Sequence, residues 1–109
     1  MKKIIFSIAI NALIVSCAQK NEIWISNSDV DKPIKNILTL DKNYQYSSYT
    51  ILVKGNVDDT ILINDKYKLC CKIDTIIKCD FYGGNKNLIL DYAPYKAKKG
   101  DLEITHYAD

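Results

Sequence analysis

The chain has 109 residues, 48% of them hydrophobic, and its 15 basic residues are all lysines set against 13 acidic ones. A chain of this length builds one hydrophobic core and not two. The absence of arginine, whose planar fork suits bidentate contacts to phosphates and base edges, argues against a nucleic-acid partner.

In chain order, Lys2 and Lys3 precede a mostly apolar run from Ile4 to Val15, which is shorter than the roughly 20 residues of a membrane-spanning helix and is interrupted by Asn11. Two cations, a short apolar stretch and a small residue before a cysteine predict a secretory signal over residues 1–16. The four residues Ile14-Val15-Ser16-Cys17 resemble the lipobox of bacterial lipoproteins: an aliphatic residue, a permissive one and a small one ahead of the cysteine. The resemblance covers residues 1–17. It implies that Cys17 becomes the first residue of the mature protein and carries acyl chains, each buried methylene contributing roughly 0.8 kcal/mol to membrane attachment. Ala18 stands where some bacteria use an aspartate to retain lipoproteins in the inner membrane. The resemblance therefore implies an outer-membrane location in the cell envelope, facing the periplasm or the exterior. Residues 17–22 are expected to form a lipidated tether, and 23–109 the folded domain. Without Lys2 and Lys3, thirteen lysines face thirteen acidic residues, and the formal charge is zero.

From Glu22 onward apolar and polar residues alternate, with Gly, Asn, Asp or Pro clusters every 8 to 12 residues. This pattern predicts an all-β domain, a small antiparallel β-sandwich or barrel of seven or eight strands. The expected strands are 22–26, 35–40, 44–54, 60–63, 67–73, 76–82, 87–92 and 101–107. Gly55 to Asp59, Asn64 to Lys66 and Asp74-Thr75 are expected to turn the chain. Gly83-Gly84-Asn85 is the strongest hairpin signal, because glycine and asparagine tolerate positive φ. Ile34, Ile37 and Leu38 would also fit one face of a short helix.

Once Cys17 is acylated, Cys70, Cys71 and Cys79 leave an odd number of thiols in an oxidising compartment. If Asp74-Thr75 closes a hairpin, Cys71 and Cys79 lie opposite each other and can form a disulfide; as an equal alternative, all three are small buried hydrophobes. Neighbouring Cys70 and Cys71 point to opposite faces of a strand, and His106 is the only histidine, so no metal site and no cofactor are expected. Asp58, Asp59, Asp65, Asp80 and Glu103 are read mainly as turn chemistry rather than as catalytic carboxylates. Eight tyrosines and Trp24 are many for so small a core, and Tyr46, Tyr92 and Tyr95 are the expected binding surface. The resulting expectation is a lipid-anchored, non-enzymatic binding or accessory module for another envelope protein. Its alternatives are an immunity or exclusion lipoprotein and a surface carbohydrate-binding module.

Overall fold

The computed structural model describes residues 19–41, 43–80 and 87–109; the expected signal segment, Cys17 and the expected hairpin at Gly83-Gly84-Asn85 lie outside them. The described residues form eight strands: β1 (Gln19–Ile25), β2 (Ile34–Leu38), β3 (Ser48–Val57), β4 (Ile61–Ile63), β5 (Tyr67–Leu69), β6 (Lys72–Asp80), β7 (Leu88–Ala93) and β8 (Gly100–Ala108). They make two antiparallel sheets of four strands, sheet A in the order β1-β8-β3-β6 and sheet B in the order β2-β7-β4-β5. The domain is a β-sandwich and not a closed barrel.

The alternation seen in the sequence is the alternation of the two sheet faces. Ile23 and Ile25, then Leu102 and Ile104, Ile51 and Val53, and Ile73 and Ile77 point inward from sheet A in matched register. Leu38, Leu90, Tyr92, Ile61 and Ile63 meet them from sheet B. Side chains of this size contribute about 1.5–3 kcal/mol each when fully buried, and they supply most of the drive to fold. Residues 34–38 are strand, not helix, because Ile34 and Leu38 pack inward while Lys35 and Ile37 stay exposed.

β2 ends at Leu38 and not at Leu40, β3 begins at Ser48 and not at Tyr44, and three further departures from expectation bear on strand pairing. First, β1 begins at Gln19, inside the expected tether, because residues 19–22 pair with Thr105–Ala108 of β8. Second, β3 passes through Gly55 to Val57, and third, β6 passes through Asp74-Thr75, since the two strands pair continuously from Ser48↔Asp80 to Asn56↔Lys72. Nine cross-strand pairs outweigh the local turn preference of one Asp-Thr dipeptide. The chain turns instead at Cys70-Cys71, where it leaves β5 in sheet B for β6 in sheet A. β6 and β7 also belong to different sheets, so they do not form the hairpin expected across Gly83-Gly84-Asn85. The β4–β5 turn is as expected: Asn64 and Asp65 both take positive φ, and Lys66 N–H donates to the Ile63 carbonyl at 3.1 Å.

Gly55 and Gly100 pack strands β3 and β8 against each other at close range. Their φ values are 141° and 147°, and a β-carbon on Gly55 would lie 2.0 Å from the Asp101 carbonyl oxygen, one on Gly100 2.1 Å from that of Asn56. Gly55→Ala is expected to cost at least about 2 kcal/mol, from the unfavourable φ and the clash together. Urea denaturation of the variant beside the parent checks this, and an unchanged midpoint would contradict the close approach.

Candidate functional site

The groups with the greatest chemical potential sit inside the sandwich. His106 alternates with Ile104 and Ala108 on the inward face of β8 and is 0% exposed. Its Nδ1 lies 2.8 Å from the Tyr49 hydroxyl and its Nε2 2.9 Å from Asn36 Oδ1. Asn36 Oδ1 also accepts from Asn21 Nδ2 at 2.8 Å, and Asn21 Nδ2 donates to the Ile37 carbonyl at 3.1 Å. Asn36 Oδ1 is thus an acceptor, so Nε2 carries the proton and Nδ1 accepts from the tyrosine hydroxyl. The line runs from Tyr49 in β3 through His106 in β8 to Asn36 in β2, which joins sheet A to sheet B.

Burial pulls the His106 pKa down from 6.5 to about 4, so the ring is neutral at pH 7. Burial, with Cys79 nearby, pushes the Tyr49 pKa up, and its hydroxyl keeps its proton. With both ring nitrogens engaged and no solvent access, this line fastens the two sheets together.

Among the described residues no group of three His, Cys, Asp or Glu side chains is arranged to hold a metal ion. The expected Cys71–Cys79 disulfide is not formed. Cys71 precedes β6 and Cys79 lies near its far end, eight residue steps of extended chain or about 26 Å away. Cys71 is bonded to Cys70 instead, at the corner between the sheets. Cys71 takes a φ of 73° there, and its carbonyl accepts from Val57 N–H at 2.9 Å. Cys79 is a free thiol on the inward face of β6, 3.6 Å from the Tyr67 hydroxyl.

The expected tyrosine surface is also corrected, because two of its three members are core residues. Tyr46 is 4% exposed, and its hydroxyl accepts from Asp41 N–H at 3.1 Å. Tyr92 is 2% exposed and donates to the Val30 carbonyl at 2.6 Å. Burial, with Asp31 and Asp58 in the background, pushes its pKa up to about 12. The Leu88, Leu90, Tyr92 alternation on β7 turns its ring inward. Tyr95 alone of the three is exposed, in the loop before β8, with the ammonium groups of Lys68 and Lys96 at 5.4 and 5.5 Å from its ring centroid. That loop is pinned by Asp58 Oδ1, which accepts from the N–H groups of Lys98 at 2.8 Å and Lys99 at 3.1 Å. These bonds, the Lys98 one foremost, hold the Asp58 pKa below its usual range.

Among the described residues the most exposed aromatic side chain is Trp24, 69% open to solvent on the outward face of edge strand β1. Glu103 is its cross-strand partner, and Lys54 is the next residue across the sheet. Trp24, Lys54, Glu103, Asp101 and Ser26 rim a groove of about 360 Å³ whose floor is the stretch of sheet at Ile25, Leu102 and Gly55. No protein-family model and no curated protein matches the chain. The groove therefore has to be read from its own chemistry. Sequence reasoning named Trp24 only among the other aromatics, although its place between inward-facing Ile23 and Ile25 is the signal that it faces out.

Two predictions concern the interior. The folded chain holds His106 neutral down to about pH 4, whereas the unfolded chain takes the proton near 6.5. Its stabilisation is therefore fully present above 6.5 and is lost as pH falls from 6.5 to about 4, amounting to about 3 kcal/mol. His106→Gln should be less stable at pH 7 yet lose about 3 kcal/mol less on acidification to pH 4, as measured by urea denaturation at both pH values; parallel losses would refute the assignment. Peptide mapping without reductant should recover Cys70 and Cys71 in one crosslinked peptide and Cys79 as an alkylated thiol. A Cys71-to-Cys79 crosslink would contradict the observed arrangement.

Proposed function

We propose that this protein is a lipid-anchored, non-enzymatic binding module of the bacterial cell envelope, held to the membrane through Cys17 and meeting its partner on the outward face of sheet A. The observation that carries the binding half of this reading is the division of side chains between inside and outside. The single histidine is sealed in the core with both nitrogens bonded, while Trp24 and its charged neighbours stand in solvent. An exposed tryptophan is costly to solubility and common at recognition surfaces, where its ring combines a broad apolar face with a donor.

The anchoring half rests on the Ile14-Val15-Ser16-Cys17 run, and the start of β1 adds a geometric consequence. Only Ala18 separates Cys17 from Gln19, a reach of at most about 7 Å. An acylated Cys17 would hold the start of β1 close to the headgroups, with little of the freedom of a long tether. Among the described residues no helix is long and apolar enough to cross a membrane, and in this reading attachment comes from the lipid.

Cys17→Ser should abolish incorporation of radiolabelled palmitate and shift the protein from the membrane to the soluble fraction. Unchanged labelling would overturn the anchor.

A further inference from the structure

We infer that the groove beside Trp24 is a glycan-binding site in which a pyranose ring stacks on the indole while Glu103, Asp101 and Lys54 bond its hydroxyl groups. The inference rests on the envelope-binding reading for its setting and names the ligand class of that same face.

Three observations converge on this chemistry. Trp24 offers an open aromatic face at one end of the groove, and a sugar ring carries an apolar C–H side that fits such a face. Lys54 stands at the other end, two strand spacings or about 10 Å away, with Glu103 between them. Glu103 and Lys54 are cross-strand neighbours of opposite charge, yet neither they nor Asp101 belong to any of the ion pairs among the described residues, Lys20–Glu22, Lys32–Asp29 and Lys35–Asp91. Their acceptors and donors are therefore available to a ligand rich in hydroxyls, and hydrogen bonds to charged groups are the stronger kind.

Competing occupants fit less well. Two carboxylates against one ammonium give the rim a net negative charge, which disfavours phosphorylated ligands and anionic lipid headgroups. A volume of about 360 Å³ falls at the small-ligand end of binding sites.

The sequence contains a single tryptophan, so tryptophan emission, excited selectively over that of the tyrosines, reports on this groove alone. Full-length protein in detergent micelles is titrated with chitotetraose, maltotetraose and xylotetraose and also applied to a glycan array. At least one glycan should produce a saturable blue shift of the emission. By calorimetry Trp24→Ala should weaken that binding about tenfold or more, and Glu103→Gln about fivefold. Both side chains point away from the core, so circular dichroism should show the strand content unchanged, and Tyr95→Ala should bind as the parent does. A blank array with unmoved emission overturns the proposal, as does undiminished binding by Trp24→Ala. An emission shift on phosphatidylglycerol vesicles without any response to glycans overturns it in favour of the bilayer. The palmitate assay reads the anchor independently: labelled Cys17 without glycan binding removes only the site, and glycan binding without labelling removes only the anchor.

Discussion

Tyr49, His106 and Asn36 form a hydrogen-bonded line from sheet A to sheet B, and burial keeps its imidazole uncharged. A charged ring in that position would lose its hydration, and the tyrosine hydroxyl would have to turn from donor to acceptor. The same three residues constrain register. A slip of β8 by one residue would expose His106 and drive Tyr107 inward, leaving Tyr49 and Asn36 without their partner, at a cost of about 1–3 kcal/mol for each buried polar group so orphaned. Among the described residues every buried side-chain nitrogen and oxygen has a partner. The sandwich is thus specified by polar pairing between its sheets as well as by apolar packing.

Much of this fold is legible in the sequence because an antiparallel sandwich writes its two faces as strict alternation. Ile23 and Ile25, Ile51 and Val53, and Leu102 and Ile104 mark the inward face without any knowledge of partners. What alternation does not encode is which strands pair. Six of the seven connections change sheet, and only β4 and β5 form a hairpin between successive strands. Reading Asp74-Thr75 as a turn followed from assuming that neighbours in sequence are neighbours in space; that assumption also set Cys71 opposite Cys79. The long β3–β6 pairing is a non-local effect that no local signal announces.

The candidate site was less legible for a related reason. Tyrosine has high strand propensity and suits either face of a sheet, since its hydroxyl can bond a backbone group inside or water outside. Tyr46 and Tyr92 take the first option and Tyr95 the second, and only the packing distinguishes them. Trp24 could be placed by its flanking isoleucines. The groove beside it required knowing that β1 lies against β8 and β8 against β3, which brings residues 24, 103 and 54 into one row.

The position of β8 bears on when the domain can form. It is an interior strand of sheet A, bonded on one side to β1 and on the other to β3, and it supplies His106 to the core. Sheet A therefore has a missing middle until residues 100–108 have been synthesised, and β1 has no partner before then. Assembly that depends on contacts so distant along the chain is slow relative to local hairpin formation. A chain of this topology stays open through most of its synthesis, with both neighbouring edges of sheet A unpaired until residues 100–108 arrive.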